Sequence, residues 1–540
     1  MKKNSNNLRY GIYGSLLIVA FLFGTQYNSL ISGDSVYEQL NKFKDVLLLT
    51  EKYYVDDVDT QKLTEGAIEG LLKNLDPHSV YIPPKQLSKV NEEFKGKFEG
   101  IGIEFQLLND TITVLQPIGG GPSAQVGIMS NDKIVKIDGK NAVKYNNEQV
   151  MKSLKGPKGT KVSVSIFRSG IKELLEFEII RDVIPLYSVD VSFMTRKDIG
   201  YISVSRFSET TADEMRTALL KLKNLGMEQL ILDLRFNPGG FLDQAVKMVD
   251  EFLDGGKENR KKVVYTKGRR AEFDEEYFAS SNSEFEKIPI VVLLSNNSAS
   301  ASEIVAGAIQ DWDRGLIVGE TSFGKGLVQR QFDLNDRSAF RLTISRYYTP
   351  SGRLIQRSYS DGVEKYQREA FERDEKEGEN IAHTAEKDSI NPIFYTTAGR
   401  KIYGGGGITP DFIVKPLTMT SYTTNLFRKN IFYEYVAQYL SGNGQNFKDK
   451  YKSFEDFNLN YKIEDEFVNN FVEFGIKKGT ELKKEEFEKD KEFIRMRLKA
   501  FIARNFWGNE GWYPIVLSED NQLQKAIDVL PEAAKIAHLK

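Results

Sequence analysis

The chain of 540 residues contains no cysteine and only three histidines, His78, His383 and His538. Without cysteine it can form no disulfide, offer no thiol nucleophile and hold no metal through thiolates. The 74 lysines and arginines nearly balance the 76 aspartates and glutamates, so no positive surface for nucleic acid is expected. Charged residues make up 28 % and hydrophobic residues 40 %, which excludes a disordered chain and a polytopic membrane protein. At roughly 100–200 residues per domain, the length predicts three or four domains.

Residues 1–32 have the layout of a signal peptide or signal anchor. Met1–Arg9 carries three positive charges and no acid, and an apolar run from Tyr10 to about Phe23 follows. Gly24–Tyr27 fits a small-x-small cleavage site poorly. Because positive residues stay on the cytoplasmic side, we expect everything after Ser32 to lie across the membrane. The sequence therefore predicts an exported protein that contacts the membrane through its N-terminal segment.

The residue pattern then divides the chain into four regions. Residues 33–90 are predicted to be helical, residues 91–184 to form short strands with glycine turns, and residues 418–540 to form a helical C-terminal extension. Residues 185–417 alternate nearly all-apolar strands with helices, which predicts a mainly parallel sheet buried on both faces. The polar stretch 358–400 within this region is predicted to be a surface insertion. The fold class is thus a multidomain α/β protein with an additional β-rich module.

The β-rich module, residues 91–184, resembles a PDZ domain. Gly100–Phe105 and Thr111–Leu115 alternate as a hairpin does, with Asn109-Asp110 at the turn, and Val162–Phe167 is expected to close the set of strands. PDZ domains bind a peptide by adding it as a strand to a sheet edge.

Gly100, Ile101, Gly102 and Ile103 resemble the carboxylate-binding loop of PDZ domains. The resemblance implies that backbone N–H groups of this loop receive the free C-terminus of a peptide.

The segment Val291–Ile304 contains the candidate nucleophile. A buried strand ends in small hydroxyl residues that open a helix, and Ser300 lies at the start of that helix, where free N–H groups and the helix dipole favour negative charge. The N–H of Ala301 could stabilise an oxyanion formed by attack of Ser300. Ser300–Glu303 is also a capping-box pattern, so a purely structural serine is the alternative.

A nucleophilic serine needs a base, and no histidine follows a core strand. A Ser-His-Asp triad is open only through His78. A lysine can serve instead when burial disfavours its charged form. Lys325 follows the next predicted strand, and if residues 325–332 are extended, Lys325 and Gln329 share one face, so that Gln329 can hold the amine.

The turn Asn237–Gly240 follows another strand, and its glycines allow the backbone to approach a ligand closely. Gly239 N–H is the candidate second oxyanion donor, facing Ala301. The alternative is a tight turn before a helix.

Six motifs in order resemble the C-terminal processing peptidases, or tail-specific proteases, of the S41 serine peptidase type, over about residues 35–415. The motifs are Asp76–Ser79, the PDZ region with Lys155–Thr160, Asp233–Gly240, Ser298–Glu303, Gly319–Gly326 and Thr349–Arg353. The resemblance implies a crotonase/ClpP-like peptidase core, Ser300 as nucleophile, Lys325 as general base and Gln329 as the residue that orients the lysine. Gly239 and Ala301 would form the oxyanion hole.

These expectations define one function. The chain is expected to be an exported serine endopeptidase of the bacterial cell envelope, on the periplasmic side, either secreted or anchored to the inner membrane. It would recognise unstructured, apolar C-terminal tails of proteins through the PDZ domain and cleave near them through an acyl-enzyme, with no metal or organic cofactor. A homo-oligomer or an adaptor protein as partner stays open. The rival hypothesis is a non-catalytic adaptor that binds tails, and a third is an acyl-processing enzyme on the same core.

Overall fold

The computed structural model describes residues 36–256, 260–280, 283–373, 375–381 and 392–539. The chain divides into two compact units, Met1–Tyr81 and Ile82–Lys540. The predicted signal segment lies outside the described residues, and no described helix is both long and apolar enough to cross a membrane.

The first unit contains two helices, α1 (Val36–Tyr53) and α2 (Thr60–Lys73), as the apolar spacing predicts. The N–H of Lys62 donates to the carboxylate of Asp59, which caps α2 at 3.0 Å. Strand β1 (Val80–Ile82) follows the proline turn, and helix α3 (Pro84–Lys95) begins at a proline, where the missing N–H costs no helical hydrogen bond.

The PDZ region is a six-stranded antiparallel sheet with two short helices. Its elements are β2 (Lys97–Gly100), β3 (Ile103–Leu108), β4 (Thr111–Pro117), α4 (Pro122–Gln125), β5 (Lys133–Ile137), β6 (Lys140–Asn141), α5 (Asn147–Leu154), β7 (Lys161–Phe167), β8 (Leu175–Ile180) and β9 (Asp182–Pro185). The strand order is β3-β4-β5-β7-β8, with β6 beside β5, while β2 pairs with β9 outside this sheet. Strand β3 is therefore an edge strand, which is what addition of a peptide strand requires.

The turns of the PDZ region have the backbone conformations that the sequence predicts, whereas its last strands differ from the prediction. Asn109, Asp110 and Asp138 have positive φ angles of 48°, 59° and 48°, as the predicted hairpin turns require. The prediction that Val162–Phe167 closes the strands is wrong, because β8 pairs with that strand along its whole length and β9 follows. Strand β8 alternates charged and apolar residues and was not recognised.

The main sheet of the peptidase region has seven strands, in the order β10-β11-β12-β15-β16-β22-β19. The four adjacent pairs from β11 to β22 are parallel, and the two outermost pairs are antiparallel. The elements are β10 (Val189–Met194), β11 (Ile199–Val204), α6 (Thr211–Asn224), β12 (Gln229–Asp233), α7 (Leu242–Asp250), β13 (Lys262–Gly268), a 3₁₀ turn (Ala271–Phe273), β14 (Glu276–Phe278), β15 (Ile290–Leu294), α8 (Ala301–Asp311), β16 (Leu316–Gly319), β17 (Leu327–Asp333), β18 (Ala339–Tyr348), α9 (Val363–Glu369), β19 (Gly378–Glu379), β20 (Ile393–Tyr395), β21 (Lys401–Tyr403) and β22 (Phe412–Ile413). A second sheet contains β14, β13, β18 and β17 in that order of pairing.

The stretch 358–400 is only partly the surface insertion that its charge predicts. Tyr366 and Ala370 are each 2 % exposed, and Arg373 donates hydrogen bonds to the loop that precedes β17. The charge pattern of the sequence did not predict this contact. Arg373 donates to backbone carbonyl groups, which every residue has, so the amino-acid composition gives no indication of them.

The C-terminal region is helical, as predicted, and has two parts. Its helices are α10 (Ser421–Arg428), α11 (Ile431–Lys450), α12 (Phe454–Asn460), α13 (Asp465–Lys477), α14 (Lys484–Val516, broken at Gly508), α15 (Asn521–Asp528) and α16 (Leu530–Ile536). Helices α10–α14 form their own aromatic-rich core. Helices α15 and α16 instead cover one face of the seven-stranded sheet, where Leu523, Ile527 and Leu530 pack with the apolar side chains of its strands. The sequence assigned these last helices to the extension, but they complete the peptidase core.

Candidate active site

Ser300 lies between a fully buried strand and a fully buried helix. Every residue of strand β15 and of helix α8 is buried. Ser300 lies between them, directly before the helix, with φ 54° and ψ −111°. Such a conformation is strained for a residue with a Cβ and costs about 1–3 kcal/mol, so the surrounding structure must hold it. The strain at this position supports a functional rather than a purely capping serine.

The carboxylate of Glu303 connects the two candidate catalytic segments. Its Oε2 accepts from the N–H of Ser300 at 2.7 Å and from the N–H of Lys325 at 2.9 Å. Its Oε1 accepts from the N–H of Gly324 at 2.6 Å and from the hydroxyl of Ser322 at 2.5 Å. The Glu303 arm of the predicted capping box is therefore present, and the same carboxylate also fixes the loop that carries Lys325.

Glu303 is completely buried, and burial raises the pKa of its carboxyl although all four donors act to lower it. A buried carboxylate is tolerated because its oxygen atoms are fully hydrogen-bonded. The cost of burying this group is consistent with a positioning role at the site.

Tyr347 joins the same two segments through their carbonyl groups. Its hydroxyl lies 3.0 Å from the carbonyl oxygen of Ser300 and 2.7 Å from that of Lys325, within donating distance of both. The side chain is 1 % exposed, and burial raises the pKa of the phenol well above its ordinary value. Tyr347 therefore stays a hydrogen-bond donor throughout the physiological pH range.

Lys325 contacts Gln329 as the sequence predicts. The side-chain nitrogen Nζ of Lys325 donates to Oε1 of Gln329 at 2.8 Å. Strand β17 begins at Leu327 and has a bulge between Val328 and Gln329, which alters the simple alternation of side chains. The contact was predicted from an extended chain, and the bulge is a detail that the pattern did not reveal.

The turn at Gly239 lies directly beside Ser300. A Cβ built on Gly239 would stand 2.7 Å from Cβ of Ser300 and 2.9 Å from the backbone nitrogen of Ala301, and its φ is +97°. Only glycine fits here, because any side chain would strike the candidate nucleophile. The structure thus brings Gly239, Ser300 and Ala301 together.

The two candidate oxyanion donors differ in their present partners. The N–H of Gly239 donates to Oδ1 of Asn237 at 2.9 Å, so this donor is engaged by the turn itself. The N–H of Ala301, in contrast, has no acceptor within the described part of the chain. A substrate oxygen would find one donor available and would have to take the other from Asn237.

A buried cluster of charged side chains lies at the end of strand β12, directly before the Gly239 turn. The guanidinium of Arg235 pairs with Asp233 at 2.6 Å and with Asp520, the N-cap of α15, at 2.8 Å, and the hydroxyl of Tyr201 donates to Asp233 at 2.6 Å. The last helices therefore contact the strand end that leads into the Gly239 turn. No group of three or more His, Asp and Glu side chains in the described ranges is placed to hold a metal ion.

Two of the three histidines, His78 and His538, are among the described residues. His78 lies in the first unit, where its backbone N–H donates to Asp76 at 2.8 Å. His383 lies outside the described residues, and His538 follows α16 near the C-terminus.

Models of four protein families match the chain. "Peptidase family S41" matches residues 198–365, "PDZ domain" residues 100–179, and "Activating protease CtpB N-terminal domain" residues 25–85. A family of unknown function matches residues 422–508, which lie within helices α10–α14.

Two curated relatives are similar over most of their length. A carboxy-terminal-processing protease of Bartonella bacilliformis is 37 % identical over 349 residues, which cover 64 % of this chain and 79 % of the relative. The chain belongs to peptidase family S41. The carboxy-terminal processing protease CtpA of Bacillus subtilis is 36 % identical over 328 residues, 61 % of this chain and 68 % of the relative. A solved photosystem II D1 C-terminal processing protease shares 27 % identity over 58 % of this chain and 89 % of its own, with a TM-score of 0.33.

This S41 peptidase is a C-terminal processing serine protease with a PDZ domain. The matched peptidase region contains Ser300, Glu303, Lys325 and Tyr347. The helical module α10–α14 lies outside the S41 match and interrupts the peptidase fold before α15 and α16 complete it.

The predicted carboxylate loop of the protease lies between β2 and β3. Gly100, Ile101 and Gly102 are buried, Ile103 is half-buried, and Gly102 has a φ of +73°. The carbonyl of Ile101 accepts from both the N–H and the hydroxyl of Ser123, at 3.0 and 2.6 Å. The loop is thus rigidly held on its inner side.

Three positioning residues of the site were not found from the sequence. Asn237 lies in a recognised motif and Tyr347 lies near one, so the motif positions were a signal. The carbonyl groups to which their side chains donate, those of Val204 and Ser300, are distant in sequence. Arg373 lies in the charged insertion and gave no signal. Its guanidinium donates to the carbonyl groups of Ser322 at 2.8 Å and Thr321 at 3.2 Å, in the loop that leads to Lys325.

We expect Arg373→Gln to lower the rate of cleavage about tenfold. Burial lowers the pKa of Arg373, and its hydrogen bonds fix the loop that carries Lys325. A displacement of about 1 Å at a catalytic group can cost about 10²-fold, and partial loosening should cost less. Initial rates on a peptide substrate measure the effect. Arg368→Gln, an exposed arginine of α9 in the same insertion, is the matched control, and equal rates for the two variants would contradict the positioning role.

Proposed function

We propose that this protease cleaves proteins near their C-termini with a Ser300/Lys325 dyad through an acyl-enzyme. One observation carries the proposal: Oε2 of Glu303 accepts from the backbone of both Ser300 and Lys325, so the two residues are fixed to one buried group. The contact between Lys325 and Gln329 supports the role of the lysine, since it orients the amine. The parallel strands around β15 and the helix after it fit the proposed crotonase/ClpP-like core.

The proposed reaction has two steps. The hydroxyl of Ser300 attacks the substrate carbonyl carbon and gives its proton to the neutral amine of Lys325. The C–N bond breaks as the lysine returns this proton to the leaving amine, which leaves an ester on Ser300. Water then attacks the ester with Lys325 again as base, and releases the new carboxyl group and the serine hydroxyl.

The oxyanion is stabilised in this proposal by the N–H groups of Ala301 and Gly239. The N–H of Ala301 lies at the start of α8, where the helix dipole favours negative charge. The N–H of Gly239 becomes the second donor to the oxyanion when the substrate oxygen replaces Oδ1 of Asn237 as its acceptor. The present hydrogen bond therefore describes a resting arrangement of the turn.

Substrate recognition is assigned to the PDZ domain. The terminal carboxylate of an unstructured, apolar tail binds the Gly100–Ile103 loop, and the tail adds to the edge strand β3. The chain upstream of the tail then reaches Ser300. Export across the membrane, with the N-terminal segment as signal or anchor in the bacterial envelope, is part of the proposal and rests on the charge and apolar pattern of residues 1–32. A homo-oligomer or a delivering adaptor is compatible with it.

The test is degradation of an unfolded reporter protein that ends in an apolar tail. We expect the parent protein to cut it, and both Ser300→Ala and Lys325→Ala to abolish cutting, because each removes one partner of the dyad. Mass spectrometry maps the cleavage sites, and a reporter ending in Asp-Asp should be cut more slowly. Since Lys325 must be neutral to accept a proton, the rate should increase with pH.

Two results would contradict the proposal. Full activity of Lys325→Ala would require another base, and a rate that is constant between about pH 6 and pH 10 would argue against a lysine base. Binding of the tail without cutting by any variant would favour the adaptor hypothesis for this chain.

A further inference from the structure

The turn that carries Gly239 exposes a phenylalanine to solvent. Phe236 follows strand β12 and is 70 % exposed, whereas the next residue, Asn237, is completely buried. An exposed aromatic ring keeps most of its apolar surface in contact with water, so Phe236 contributes little to the hydrophobic core.

The backbone of Phe236 is also in an unfavourable conformation. Its φ is 62°, in the left-handed region, where a bulky side chain is an outlier and asparagine or glycine is common. The N–H of Phe236 donates to Oγ of Ser295 at 3.1 Å, and the N–H of the next residue donates to the carbonyl of Leu234 at 3.2 Å. These two hydrogen bonds hold the strained turn. A residue that is both strained and exposed is a poor choice for stability, and strained residues concentrate at active sites and ligand-binding sites.

Phe236 lies close to the candidate nucleophile. The carbonyl of Asn237 accepts from the N–H of Ala299 at 3.0 Å, and Ala299 directly precedes Ser300. Gly239, the candidate oxyanion donor that packs against Ser300, belongs to the same turn as Phe236. An extended substrate advances about 3.3 Å per residue, so the substrate side chains one or two positions from the scissile bond lie within reach of this turn.

We propose that the ring of Phe236 contacts an apolar side chain of the substrate next to the scissile bond and thereby selects where the protease cuts. The inference rests on the proposed role of Ser300 as nucleophile. Contact with the substrate removes from water the apolar surface that the free protein leaves exposed, and this burial favours an apolar substrate residue over a polar one. The PDZ domain then selects the tail, and Phe236 selects the bond.

The experiment compares the cleavage of one peptide series by the whole chain and by its variants. A peptide with a single cleavage site, located by mass spectrometry, carries leucine at the two positions on each side of the scissile bond, and each leucine is replaced in turn by serine. At the position that contacts Phe236, the replacement should lower kcat/KM of the parent about tenfold, the lower end of what a hydrophobic substrate contact supplies. In Phe236→Asn this replacement should no longer lower kcat/KM, while the other replacements keep their effects. Phe236→Leu should retain part of the preference, because its side chain is still apolar.

Unfolding in urea separates substrate recognition from packing within the protein. Asparagine tolerates a positive φ, so Phe236→Asn should have a higher urea midpoint than the parent. Arg337→Asn makes the same exchange at an exposed residue with a φ of 68°, in the turn between β17 and β18, and should leave the peptide preference unchanged. Tyr395→Asn removes an exposed aromatic ring of strand β20 and should also leave the preference unchanged.

Two results would overturn the inference. The first is a Phe236→Asn protein that keeps the preference of the parent, or whose kcat/KM is lowered equally for every peptide of the series. The second is a lower urea midpoint for Phe236→Asn, since the ring would then be needed for packing within the protein. Cutting by Ser300→Ala, or no cutting by the parent, would instead contradict the proposed function on which the inference rests.

Discussion

Glu303→Gln is expected to reduce cleavage by about a hundredfold or more while the protein stays folded. The amide of glutamine has one acceptor oxygen, whereas the carboxylate accepts four hydrogen bonds from two segments. An NH₂ group facing the N–H groups of Ser300 and Lys325 places donor against donor and pushes the two segments apart. A shift of about 1 Å between nucleophile and base costs about 10²-fold in rate.

The stability of this variant has a predictable pH dependence. Burial raises the pKa of Glu303, so the folded protein holds this proton more tightly than the unfolded chain does. Protonated Glu303 therefore contributes stability at low pH. This contribution is lost as the pH rises from the pKa of Glu303 in the unfolded chain to its higher pKa in the folded protein. Relative to the parent, Glu303→Gln should therefore gain unfolding free energy as the pH is raised from about 4.5.

Initial rates and urea unfolding at several pH values measure both effects. Tyr347→Phe removes a single hydroxyl that serves the same two segments and should have a smaller effect, about tenfold. Glu372→Gln, an exposed glutamate of the insertion, should leave the rate unchanged. A Glu303→Gln enzyme with the parent's rate would show that the shared carboxylate does not position the dyad.

Removal of residues 517–540 is expected to prevent folding of the peptidase region. Seven side chains of this segment are buried in the cluster on the seven-stranded sheet: Leu517, Leu523, Ala526, Ile527, Val529, Leu530 and Ala533. Burial of one Val, Leu or Ile side chain contributes about 1.5–3 kcal/mol, so the five larger ones contribute about 8–15 kcal/mol. That amount is comparable to the whole stability of a typical domain, about 5–15 kcal/mol.

Two point variants in α16 test the same packing and do not depend on recovering the truncated protein in soluble form. Leu530→Ala should cost about 2–5 kcal/mol of unfolding free energy, as buried leucines do. Lys535→Ala changes an exposed side chain on the same helix and should stay within about 0.5 kcal/mol of the parent. A soluble, cooperatively unfolding protein without residues 517–540 would show that α15 and α16 are dispensable.

The strands and helices of the peptidase core were predictable because their patterns are local. Ile199–Val204, Gln229–Asp233 and Ile290–Leu294 are apolar runs buried on both faces, and such runs have few alternative structures. The hairpin turn at Asn109-Asp110 was predictable for the same reason, since these residues tolerate positive φ. Strand β8 was missed although its alternation of charged and apolar residues is itself the local signal of a half-buried strand.

The site was only partly predictable. The motifs identified Ser300, Lys325 and Gln329, and spacing along an extended chain predicted the contact between the last two. The partners that hold them, Glu303 to the Lys325 loop and Tyr347 to both segments, come from elements far apart in sequence. No local pattern carries such information.

The sequence by itself determined the residue types of the site, the order of the modules and the family, because each depends on motifs that lie within a few residues of one another. Only the tertiary structure decided that Glu303 is shared by two segments, that Arg373 fastens the Lys325 loop, and that the last two helices belong to the peptidase core. These features depend on burial and on hydrogen bonds to backbone groups. Every residue has the same backbone groups, so the sequence cannot say which of them a buried side chain will meet.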